Sequence, residues 1–131
     1  MKKDIHIPEV SGVYIAVVFE HNDIYHTDDW NVYIINDKEV DLEMIVIVSK
    51  GFNEKSQTSV MRKKLTVLSA KSYAKVEWIQ PELFKLDNQF QVTFFAENTL
   101  FEKTYVFKKN SIKEGAIRMI PSINKKGVLA K

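Results

Sequence analysis

Five side chains able to hold a metal fall between positions 21 and 29: His21, Asp23, His26, Asp28 and Asp29. Imidazole nitrogen together with carboxylate oxygen suits zinc, manganese or non-haem iron. The spacing matches no standard metal motif, however, and loops between strands select Asn, Asp and His for their own backbone reasons. The expectation is a polar turn without a metal, with metal binding kept as the second alternative. The remaining histidine is His6, so all three lie in the first 26 residues. The chain has no glycine-rich phosphate loop, no G-x-S-x-G and no H-E-x-x-H. It also has no cysteine, which removes thiolate metal sites, iron–sulfur clusters and cysteine nucleophiles. No catalytic set and no cofactor is assigned.

A second chemistry is nucleic-acid binding. Arg62-Lys63-Lys64, Lys108-Lys109 and Lys125-Lys126 would have to line one edge, with Phe101, Tyr105 or Phe107 as stacking platforms. Against it, the three aromatics recur at strand spacing and are wanted for a core. A formal net charge of +2 is also mild for a dedicated binder. The charge is unevenly spread, acidic over residues 1–60 and basic over 103–131. The plain expectation is that the two ends lie side by side and neutralise each other.

The elements that must position these groups read as strands. Val13, Ile15, Val17 and Phe19 alternate with Tyr14, Ala16 and Val18. Trp30–Gly51 reads as two strands about a tight turn at Asn36-Asp37-Lys38, with Trp30, Val32 and Ile34 on one face of the first. Val40, Leu42, Met44, Val46 and Val48 alternate on the second. These three strands are expected to form a meander. Residues 60–68 mix helical and strand spacing, and the β propensity of Thr66-Val67 favours a strand from about Lys64. Ala74, Val76 and Trp78 alternate with Lys75 and Glu77, and Pro81 then opens one helical turn. Phe90–Ala96 and Phe101–Lys108 complete the set. Ser111–Glu114 has capping-box spacing that Gly115 cuts short. The result is an all-β, single-domain antiparallel β-sandwich over residues 1–131, immunoglobulin-like, of about seven strands with at most short helical turns. Residues 1–12 form an irregular lead-in, and 116–131 a tail too apolar for disorder that packs on the sheet.

If the first three strands do form a meander, Tyr14, Val18, Tyr33, Ile35, Ile45 and Ile47 stack into a second apolar face. A patch of that kind does not stay bare on a monomer. Its cover is either the tail, through Ile117, Ile120 and Val128, or a second copy of the chain. No apolar run approaches the roughly 18 residues of a membrane span. Asp4, His6 and Pro8 interrupt anything resembling a signal segment after Met1-Lys2-Lys3. A cytoplasmic location is expected.

The chain resembles a family of short bacterial proteins of unassigned function. The matching words are Trp30-Asn31-Val32-Tyr33, Thr58-Ser59 with Met61-Arg62, Ala74-Lys75 with Glu77, Leu86 with Asn88, Lys103-Thr104-Tyr105-Val106-Phe107 and Lys126-Gly127-Val128-Leu129. Some members carry an automatic label as the beta chain of phenylalanyl-tRNA synthetase. That subunit is several times longer, and these 131 residues contain no nucleotide-binding or aminoacylation constellation. The resemblance implies no functional residues. A non-catalytic binding or scaffolding module acting on a protein partner or a second copy is expected. RNA or single-stranded nucleic-acid binding is the first alternative.

Overall fold

The computed structural model describes residues 8–130 and is built on one hairpin. Strands β1 (Val13–Asn22) and β2 (Thr27–Asn36) pair antiparallel along their whole length, from Val13 opposite Asn36 to Asn22 opposite Thr27. Their shared interior face is Val13, Ile15, Val17, Trp30, Val32 and Ile34. Trp30 is wedged between Phe19 at 4.5 Å and Phe84 at 5.3 Å, ring centre to ring centre.

The chain then leaves this sheet. β3 (Leu42–Phe52) does not pair with β2; it lies in a second sheet, so the expected tight hairpin at 36–38 and the three-strand meander do not form. The cause is Asn36, which is fully buried. Its amide donates to the carbonyls of Val40, Leu68 and Ser69, and its oxygen accepts the Lys38 N–H. Satisfying these groups bends the chain across the gap between sheets.

β4 (Met61–Leu68) pairs with β3, and β5 (Ser72–Trp78) returns to the first sheet beside β2. β6 (Asp87–Ala96) and β7 (Thr99–Phe107) form a hairpin whose turn residues, Glu97 and Asn98, both have positive φ, as a two-residue turn with the strand's own twist requires. Short helical turns occupy Pro81–Lys85 and Glu114–Ala116. The sheets run β5-β2-β1-β9-β8 and β4-β3-β6-β7, all antiparallel, and enclose one core. This is an all-β sandwich.

The tail is more than a cover. It forms β8 (Arg118–Ile120) and β9 (Lys125–Leu129), which extend the first sheet beyond β1 and bring the described strands to nine rather than about seven. Such short strands, with Gly127 and paired lysines inside, show little alternation in sequence. Gly127 is needed because a Cβ there would lie 2.4 Å from the Val17 carbonyl oxygen.

The second apolar face is real but differently composed. Ala16, Val18, Tyr33 and Ile35 pack with Ile120 and Ile123 of the tail. Tyr14 is 40% exposed and stands outside it. Ile45 and Ile47 do not belong to it at all: both are in the main core, Ile47 at 1% exposure. The cause is a bulge in β3. Glu43 pairs with Phe95 and Val46 with Thr93, so Met44 and Ile45 together oppose Phe94, and Met44 takes a φ of 49°. Every residue beyond it changes face. Met44 is exposed, and Val46 and Val48 turn away from the core.

Candidate functional site

The histidine–aspartate group sits at the free end of the β1–β2 hairpin. Strand pairing continues to Asn22 and resumes at Thr27, leaving only Asp23–His26 as the turn. The Asn22 side-chain oxygen accepts the N–H groups of Ile24 and Tyr25, which closes that turn. His21 faces its cross-strand partner, donating from Nδ1 to Asp28 at 3.0 Å, with Asp23 3.6 Å from Nε2. The hydrogen bond to Asp28 raises the His21 pKa. Among the described residues no three His, Asp or Glu side chains converge as a metal would need. His6 lies outside the described residues.

The basic clusters are scattered. Arg62, Lys63 and Lys64 lie on β4, one edge of the four-stranded sheet, whereas Lys108 and Lys109 follow β7 at the opposite edge. Lys125 and Lys126 are on β9 in the other sheet. Tyr105 and Phe107 are buried, and Phe101 stacks on Phe94 at 5.2 Å. The stacking platforms are core residues, because the strand period that brings them together also turns them inward.

Lys125 has a different task. Its ammonium meets Glu20 at 3.0 Å, and Glu20 also accepts hydrogen bonds from Tyr33 at 2.6 Å and Asn31 at 2.8 Å. Burial pushes the Glu20 carboxyl up, but the bonds from Tyr33, Asn31 and Lys125 and the lysine charge outweigh it, so its pKa is lowered. This knot clamps the tail hairpin onto β1 and β2. It is also where the basic end of the chain meets the acidic one.

The feature with chemical potential is one that the alternation pattern hides. In β5, Val32 pairs with Glu77 and Tyr33 with Lys75, so Val76 is a bulge without a partner. Cross-strand partners share a face, and Val32 faces the core. Glu77 is thereby turned inward, and Trp78, expected in the core, is 53% exposed. Glu77 accepts a hydrogen bond from the buried Ser49 hydroxyl at 2.8 Å. Burial raises its pKa, with the Ser49 bond opposing.

Glu77 lines a cleft of about 470 Å³ at the open side of the sandwich. One wall is Ser49–Gly51 of β3 with Thr58 and Ser59 of the following loop; the other is Trp78–Gln80 and Leu83, with Asn88 and Phe90 of β6 behind. The walls are fixed by hydrogen bonds. Thr58 Oγ1 accepts the Gly51 N–H at 2.8 Å, Ile79 N–H donates to the Trp30 carbonyl at 3.0 Å, and the Asn88 amide donates to the carbonyls of Leu83 and Leu86. Lys50 is the other ionisable residue of the lining. Its ammonium lies 5.5 Å from the centre of the Phe52 ring, and no described cation is within ion-pair distance of Glu77. Thr58, Ser59, Met61, Glu77 and Asn88 meet here. No protein-family model matches the chain, and no curated protein sequence is significantly similar to it.

Proposed function

We propose that this chain is a non-catalytic binding module, immunoglobulin-like in type, that engages a partner protein through the Glu77 cleft. The strand order supports the type: β1-β2-β5 faces β4-β3-β6-β7, with the tail hairpin added beyond β1. The observation that carries the function is the Glu77 carboxyl itself, turned into a preformed cleft by a bulge and held by a single hydroxyl. Burying a polar group in this way costs stability unless something meets it there. Met61 at 55% and Trp78 at 53% exposure stand at the rim, residue types that protein interfaces favour.

Binding fits this lining better than catalysis. Glycoside chemistry needs two carboxyls across the substrate, and the cleft has one. Nucleophilic use of Ser49 needs a base that imidazole usually supplies, and no described histidine is in the lining of the cleft. A cytoplasmic location belongs to the same proposal, and the cysteine-free composition is compatible with it.

The test is capture of partners by tagged protein from its own host, comparing wild type with Ser59→Trp and with Lys126→Ala. Ser59 is an exposed lining residue, so tryptophan there should obstruct the cleft without disturbing the core. The expected result is a partner retained by wild type and Lys126→Ala and lost by Ser59→Trp. A partner held equally by all three would remove the cleft from the reading.

A further inference from the structure

We infer that the group received by the cleft is an organic cation, the guanidinium or ammonium of an Arg or Lys side chain carried by the partner protein. The inference rests on the cleft being the binding site and adds the chemistry of what enters. Glu77 accepts the Ser49 hydroxyl of β3 and shares the lining with Lys50 of β3, Thr58 and Ser59 of the loop, Leu83 of the helical turn and Phe90 of β6. Of these only Lys50 carries charge, and it is turned to Phe52.

A carboxylate so placed has exchanged part of its water shell for one hydroxyl donor. A cation restores the lost stabilisation through a charge-assisted hydrogen bond, whereas a neutral hydroxyl or amide restores only part of it. The remainder of the lining suits the same ligand. Long cationic side chains place an aliphatic stem on apolar surface and keep the charged head at a polar point. The half-buried Leu83 and the exposed Met61 and Trp78 of the lining offer such surface. A planar guanidinium has further donors for the Ser59 hydroxyl and for carbonyl oxygens of the wall. The raised Glu77 pKa adds a signature: a bound cation favours the ionised form and brings that pKa down, so binding strengthens as pH rises through the free value.

The experiment uses the full chain, labelled for NMR, and two capped tripeptides, Gly-Arg-Gly and its citrulline counterpart, which keeps the shape and removes the charge. The arginine peptide should shift resonances of Ser49, Glu77 and Gln80 saturably and lower the Glu77 titration midpoint. The citrulline peptide should bind about tenfold or more weakly. Glu77→Gln keeps the acceptor for Ser49 and the side-chain volume, so it should stay folded; it should also bind both peptides equally weakly. Equal binding of the two peptides by wild type overturns the inference, as does full arginine affinity in Glu77→Gln. So does the absence of a saturable shift up to about 50 mM, well past the millimolar range of single-side-chain contacts. Any of these leaves the cleft reading intact if Ser59→Trp still abolishes capture. Indifference of capture to Ser59→Trp removes the cleft reading itself.

Discussion

Four side chains carry most of what is specific here, and each has a testable cost. Asn36 satisfies the carbonyls of Val40, Leu68 and Ser69 at the crossover between sheets. Asn36→Ala leaves buried acceptors without donors, so urea denaturation should report a loss of about 1 to 3 kcal/mol. Ile47 is in the common core, so Ile47→Lys should unfold the chain rather than alter its mass in light scattering. The unpaired buried charge costs more than the roughly 1.5 to 3 kcal/mol that burying isoleucine contributes. A folded mutant of wild-type stability would contradict the bulge at Met44. Glu20 and Glu77 act on stability with opposite sign. Glu20, with its lowered pKa, stabilises the fold above the ordinary 4.5, and this is lost as pH falls through its folded value. Glu77, with its raised pKa, contributes fully below 4.5 and loses that contribution as pH rises through its folded value. The stability advantage of Glu77→Gln over wild type should therefore grow from acid toward neutral pH. A constant difference across denaturation curves at several pH values would place Glu77 in water.

Two bulges and one close crossing shape the elements. The bulge at Met44 sends Ile45 and Ile47 inward, and the bulge at Val76 sends Glu77 into the cleft. β4, by contrast, is an edge strand with most of its side chains exposed. With neither face consistently buried, its sequence carries no clean period, and helical and strand spacings coexist in it. β9 depends on Gly127. Gly127→Ala should force it off β1, at about 1 to 3 kcal/mol or more. Gly115→Ala is the control, since nothing lies within 4 Å of a Cβ there, and its effect should stay within about 0.5 kcal/mol. Amide hydrogen exchange should show β9 unprotected in the first variant and unchanged in the second. Equal behaviour of the two would refute the close approach to Val17.

At the scale of the whole molecule, the tail hairpin closes the outer face of the first sheet and brings Lys125 to Glu20. Deleting residues 116–131 should uncover Ala16, Val18, Tyr33 and Ile35, with dye binding and aggregation on concentration. A truncated chain that stays monomeric, with an unchanged urea midpoint, would mean that the hairpin is dispensable. No described helix is long and apolar enough to cross a membrane.

Strand identity and fold class were legible in one dimension, because alternation of apolar and polar residues is a local property. Val13–Phe19, Trp30–Ile34 and Phe90–Ala96 each announce themselves without reference to the rest of the chain. A polar turn between the first two strands, read as His21–Asp29 and found at Asp23–His26, and the apolar character of the tail were legible for the same reason. Partnership between strands was not. Whether β2 and β3 form a hairpin or cross between sheets is decided by what Asn36 finds to bond with, and two of its partners, Leu68 and Ser69, lie more than thirty positions away. Phase was not legible either. Neither bulge contains a glycine or proline to mark it, and one extra residue reverses every side chain that follows. That is why Ile47 reads as part of the second apolar face and lies in the main core, and why Glu77, the residue with the most chemistry, reads as solvent-facing. Its position follows from a pairing offset between β5 and β2, and only the assembled sheet contains that offset.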